Sequence, residues 1–154
     1  MSTCYKVFFN FRGPDTHLDI ADILYTNLID VGIRAYRDNE ELRTGEEIGP
    51  VLLQAIEQSK ILIPIFSKGY ANSKWRLTEL VQTVKCKRAT GQKIVPIFFG
   101  VRPSEVRNQI GDYGEAFLLH VKKKQFDENT MLGCKAALNE IGALKGMGFP
   151  KQSE

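Results

Sequence analysis

Short, almost uninterrupted apolar runs alternate along this chain with amphipathic segments, and this alternation restricts the fold more than any other feature. Tyr5-Lys6-Val7-Phe8-Phe9-Asn10-Phe11 reads as a strand. Thr16 to Val31 reads as a helix, capped by Asp15 or Thr16 and ended by Gly32. Ile33-Arg34-Ala35-Tyr36 is a short second strand. Arg37 to Gly49 is polar and reads as a loop. Pro50 opens a helix at a favoured first position, ahead of the stripe Leu52, Leu53 and Ile56. Lys60 to Phe66 is a third strand and Ile94 to Val101 another, with a helix from Trp75 or Leu77 to Arg88 between them. Glu105 to Lys124 is helical in parts, broken near Gly111 and Gly114, and Met131 to Leu144 is a last helix. Strands alternating with helices build βαβ units, so the expected class is α/β, with a parallel sheet covered on both faces. Pro64 and Pro96 fall inside the two most apolar strands, where a proline loses a ladder hydrogen bond. Each is therefore expected near a strand end or an irregularity.

The 154 residues suit one domain, expected over 1–146 with a frayed tail over 147–154. Lys and Arg exceed Asp and Glu by 21 to 18, too mild an excess for a dedicated nucleic-acid binder. The basic runs Lys85-Cys86-Lys87-Arg88 and Lys122-Lys123-Lys124 read as solvated helix faces, with nucleic-acid contact the lesser reading. No apolar run is long enough to span a membrane, and the N-terminus has no signal-peptide layout. Cys4, Cys86 and Cys134 are odd in number and widely spaced, so neither a disulfide framework nor a zinc site is expected, and a reducing cytosol fits.

Ligands of such sheets bind beyond the carboxyl ends of the strands, where the strand order reverses. The segments to search are Phe11 to Thr16, Arg37 to Gly49, Ser67 to Glu79 and Val101 to Asp112. Neither GxGxxG nor a P-loop is present. Phe11-Arg12-Gly13-Pro14-Asp15 joins a strand end to a helix start, where Arg12 suits an anion such as phosphate or simply pairs with Asp15. In the third helix Leu77, Leu80, Val81 and Val84 mark the core face. Glu79 points about 160° away from that face, and Trp75, four residues earlier, shares its side. A solvated helix glutamate is the commoner explanation of Glu79. Beside a lone tryptophan at the mouth of a parallel sheet, it could instead hold a ribose hydroxyl or stabilise a developing oxocarbenium ion. The first helix carries more apolar surface than one core stripe needs, which suits either scattered exposure or self-association. The acidic loop from Asp38 to Glu47 reads equally as a lid or as a solvated loop.

Four blocks in order resemble the TIR (Toll/interleukin-1 receptor) domain in its plant immune-receptor form. They are Tyr5 to Thr16, Tyr36 to Ile48, Phe66 to Leu80 and Ile94 to Arg107, and the resemblance spans roughly residues 5 to 146. It implies a flavodoxin-like fold with a central parallel sheet of five strands. It implies an NAD⁺ glycohydrolase that cleaves the nicotinamide–ribose bond, is activated by self-association and leads to cell-death signalling. NAD⁺ is then a substrate, and no metal or cofactor is implied. The partners implied are other TIR domains, and the location is the cytoplasm, with the nucleus as a second. The catalytic glutamate of the family falls on Glu79, and substrate contacts fall on Phe11, Arg12, Gly13, Asp38, Gly45 and Trp75. Self-association falls on Asp22 and Ile23 in the first helix, and on Arg107 and Gly142. In the family the loop here spanning Asp38 to Gly45 completes the site of a neighbouring molecule. Asn10 stands where the family usually has serine, and Arg76 where it usually has cysteine. A non-enzymatic TIR–TIR adaptor and a nucleic-acid-processing role are the alternatives.

Overall fold

The structure is a computed structural model that describes residues 6–11, 20–37 and 50–149. Its elements run β1 (Val7–Phe11), α1 (Ile20–Asp30), β2 (Ala35–Arg37), α2 (Pro50–Gln58), β3 (Ile61–Phe66), a 3₁₀ turn (Tyr70–Asn72) and α3 (Lys74–Thr90). They continue with β4 (Lys93–Ile94), β5 (Ile97–Phe99), α4 (Pro103–Asn108), α5 (Asp112–Lys122), α6 (Glu128–Gly142) and β6 (Met147–Phe149). Every strand pair is parallel. The order is β2-β1-β3-β5-β6, with β4 also on β3, so the expected α/β class and five-position sheet are present. From β1 the chain first steps to β2 on one side and then to β3 on the other. The order therefore reverses between β1 and β3.

The two prolines share one irregularity. The register Leu62↔Ile94 and Ile65↔Ile97 sets Pro64 opposite Pro96. Val95 N–H donates to the Leu62 carbonyl, so even-numbered residues of β3 turn their main-chain groups to this side. The donor that Pro64 lacks thus falls at the break between β4 and β5, where no regular pairing exists to lose.

Alternation along β1 splits the core. Phe8 joins the larger cluster, with Leu52 and Ile56 of α2, Leu77 and Leu80 of α3, and Leu138 and Ile141 of α6. Val7, Phe9 and Phe11 join the smaller one on the opposite face, against Ala21, Leu24 and Leu28 of α1.

Two expectations are corrected. Met147–Phe149, assigned by sequence to a tail, pairs with β5 and supplies the fifth sheet position, and Met147 N–H donates to Pro96 carbonyl. A three-residue Met-Gly-Phe strand has no pattern that separates it from a loop. Gly114 lies inside α5 rather than at a break. It is small because a Cβ there would stand 2.7 Å from the Gln109 carbonyl oxygen. The break is at Gln109 and Gly111, both at positive φ.

Candidate functional site

The carboxyl ends of β1 and β3, where the strand order reverses, converge on the first turns of α3. Ser73 caps α3 by accepting a hydrogen bond from Arg76 N–H at 3.1 Å. This sets Trp75, Arg76 and Glu79 in the first two turns, over the end of β1.

Glu79 is 0% exposed and Arg76 1% exposed. Arg76 Nη1 lies 2.5 Å from Glu79 Oε1, an ion pair between residues three apart on one helix. Asn10 Nδ2 donates to the same carboxylate oxygen at 2.5 Å. Tyr70 hydroxyl donates to Asn10 Oδ1 and lies 3.2 Å from the Arg76 carbonyl. The Phe11 ring lies beneath Arg76, with the guanidinium carbon 6.0 Å from the ring centroid.

The loop between β3 and α3 is anchored from below. Tyr113 hydroxyl donates to the Ser67 carbonyl at 2.7 Å. His120 Nε2 lies 2.8 Å from the Ala71 carbonyl, so this nitrogen carries the proton. Both side chains come from α5 and both are buried. A buried polar chain thus runs from α5 through the 3₁₀ turn and Asn10 to Glu79, with each group holding the next.

The solvated explanation of Glu79 is overturned. The helical angle is right, because Leu77 and Leu80 are buried on their own side. The opposite side is buried as well, because the end of β1 and the Tyr70 turn pack there. Trp75 is half-buried and packs against the larger core cluster. Phe11 is buried at the end of β1 beside this site. Arg12, Gly13, Asp38 and Gly45 lie outside the described residues.

Of the residues tied to self-association, Ile23 is 58% exposed on α1. Asp22 pairs with Arg37 at 3.0 Å. Arg107 on α4 and Gly142 on α6 are neighbours: a Cβ on Gly142 would stand 2.9 Å from Arg107 N. Gly142 is itself buried. Asn10, Tyr70, Tyr113 and His120 escaped the sequence reading as site residues. The spacing of Arg76 and Glu79 was the available signal for their pairing; nothing local marks the rest. Among the described residues there is no group of three His, Cys, Asp or Glu able to hold a metal ion. No helix there is long and apolar enough to cross a membrane.

The comparisons agree with this architecture. Residues 4–154 match the family model of the TIR domain. The chain is 42% identical over 142 residues to TMV resistance protein N of Nicotiana glutinosa, covering 92% of this chain and 12% of that protein. It is 48% identical over 116 residues to Disease resistance protein RPV1 of Vitis rotundifolia, covering 75% of this chain and 8% of that one. The chain thus spans a small part of the length of these curated relatives. The TIR domains in the structure of the activated Roq1 resistosome directly recognising the pathogen effector XopQ align with a TM-score of 0.83 and 34% identity, over 94% of this chain and 87% of that one. The chain belongs to the TIR domain family, and its relatives here are plant disease-resistance proteins.

Proposed function

We propose that this domain is an NAD⁺ glycohydrolase of plant immune signalling, switched on by self-association and leading to cell death. One observation carries the reading. A carboxylate, Glu79, stands at the switch point of a parallel sheet, paired with Arg76 over the Phe11 ring at the end of β1. The chemistry asks for little more. Nicotinamide leaves NAD⁺ as a neutral ring, because the C1′–N bond breaks with its electron pair moving onto the positively charged nitrogen. No general acid is needed. The barrier is the cationic character of the ribose, which a nearby carboxylate lowers. Water then adds to C1′ and releases a proton, giving ADP-ribose. Arg12 after β1 is the proposed phosphate contact, Gly13 a further substrate contact, and Asp38 to Gly45 the lid. No cofactor takes part.

Self-association is proposed through the α1 surface around Asp22 and Ile23 and through the Arg107–Gly142 region. The likeness to TIR domains of an activated resistosome supports it. The proposed location is the cytoplasm, with the nucleus as a second.

A second reading, docking of TIR domains without catalysis, is favoured by the complete burial of Glu79. Nicotinamide release at high protein concentration separates the two. Wild type is expected to release nicotinamide, and Glu79→Gln to lose about a hundredfold or more of the rate. No release by wild type at any concentration or under crowding establishes the docking reading instead.

A further inference from the structure

We infer that the amino-end edge of the sheet is a contact surface for an anionic lipid bilayer. At its centre is a row of cations, Arg34, Lys6, Lys60 and Lys93, brought together from four separate stretches of the chain.

The backbone lays the row out directly. Lys6 N–H donates to the Arg34 carbonyl at 2.8 Å, Lys60 N–H to the Lys6 carbonyl at 3.0 Å and Lys93 N–H to the Lys60 carbonyl at 3.2 Å. Each of the four opens or immediately precedes one strand, in the sheet order β2-β1-β3-β4. Neighbouring strands lie about 4.8 Å apart, so four cationic side chains rise from a line about 14 Å long. The registers Val7↔Ala35 and Val7↔Ile61 put Arg34, Lys6 and Lys60 level with one another, and Lys93 lies one residue further on, opposite Ile61. All four are exposed. Among the described residues, Lys6, Lys60 and Lys93 form no ion pair. Lys145, on the turn into β6, adds a further exposed cation at this end. Asp30 and Glu57, exposed in the last turns of α1 and α2, offset part of the charge, and Glu140 is taken by Arg88.

The neighbouring apolar side chains say which polyanion fits. Val31, just past α1, is 71% exposed, and Met147, which opens β6, is 54% exposed. Both stand at the same end of the sheet as the cations. Lysines flanked by protruding apolar side chains suit anionic headgroups above acyl chains. A nucleic acid asks for other features. None of the exposed large apolar side chains among the described residues is aromatic, so no ring is offered to stack on a base. The row also crosses strand ends instead of following a helix that a groove admits. Contact at this edge leaves the Glu79 site free, because that site lies at the carboxyl end of β1.

The plainer role for these cations is to offset the negative ends of α1, α2 and α3, which finish at this edge. Removing them would then lower stability and nothing else. A row of like charges on adjacent strands repels itself, so neutralising a row kept for binding leaves the melting temperature unchanged or raised. The test is co-sedimentation of the whole chain with vesicles of phosphatidylcholine alone, and of phosphatidylcholine with about one third phosphatidylserine. Wild type is compared with Lys6→Gln/Lys60→Gln/Lys93→Gln and with Lys122→Gln/Lys123→Gln/Lys124→Gln, which removes the same charge from the end of α5. All are checked for cooperative melting. The expected result is binding to the anionic vesicles alone, weakened by added salt. It falls roughly a hundredfold in the first variant and is largely kept in the second. If the first variant does not fold, Lys6→Gln and Lys60→Gln singly replace it, each weakening binding about fivefold. No binding of wild type to anionic vesicles, or equal losses in the two triple variants, overturns the inference. Binding of a mixed-sequence DNA duplex by wild type, with none to the vesicles, overturns it in favour of a nucleic-acid surface.

Discussion

Asn10 is the residue on which the site turns. It lies on β1, donates to Glu79 and accepts from Tyr70, and is 2% exposed. Asn10→Ala removes both bonds in a place water does not fill. The variant should lose about 1–3 kcal/mol of stability in urea unfolding, and its activity should fall through displacement of Glu79. The Arg76–Glu79 pair shows the same asymmetry more sharply. Removing either partner of a buried pair strands the other charge, at a cost of about 3–5 kcal/mol. Glu79→Ala therefore tests folding as well as catalysis, and Glu79→Gln is the cleaner variant. Elsewhere, burial pushes the Cys134 thiol up to about 11 and raises that of Cys86, so these cysteines belong to the core rather than to chemistry.

At the level of elements, α6 is fastened at both ends in different ways. Asp127 caps it, accepting from Thr130 N–H at 2.6 Å, and this bond holds the Asp127 carboxyl below its usual range. A carboxyl lowered in the folded state stabilises above its unfolded pKa, and that stabilisation is lost as pH falls through the folded value. Asp127→Ala should therefore melt below wild type at neutral pH, with the gap closing below about pH 4. At the other end, Gly142 allows α6 to touch the backbone of α4 at Arg107. Gly142→Ala should cost about 1–3 kcal/mol by forcing the helices apart. Gly133, on the same helix with nothing within 4 Å of its Cβ position, should gain about 0.5–1 kcal/mol from the same change. Thermal melts of the two variants check this. They also show that a self-association defect in a Gly142 variant must be separated from a stability defect.

On the scale of the whole molecule, strand order creates the site. The order reverses between β1 and β3, and α3 lays its first turns over the carboxyl end of β1. The remaining helices act at a distance. Tyr113 and His120 on α5 pin the turn that carries Tyr70, so α5 is linked to Glu79 through that turn and Asn10. The sheet is completed by β6, nearly fifty residues after β5 in the chain.

The alternation of apolar strands and amphipathic helices, set by the side-chain periods of the two structures, was sufficient for the class, the parallel sheet and most element positions. It also put Glu79 on the side of α3 away from Leu77 and Leu80, because that angle depends on spacing alone; Trp75, expected beside Glu79, packs instead against the cluster that holds Leu77 and Leu80. It could not say what stands on that side. Whether Glu79 meets water or Asn10 depends on a strand 69 residues earlier, and long-range packing leaves no periodic trace in a single segment. β6 was missed for a related reason: three residues become a strand only because β5 offers them an edge. The ion pair lies between these cases. Residue identities and a three-residue separation permit it, but the tertiary fold removes the water that would otherwise weaken it, and so turns an ordinary helix-surface pair into a buried one at the centre of the site.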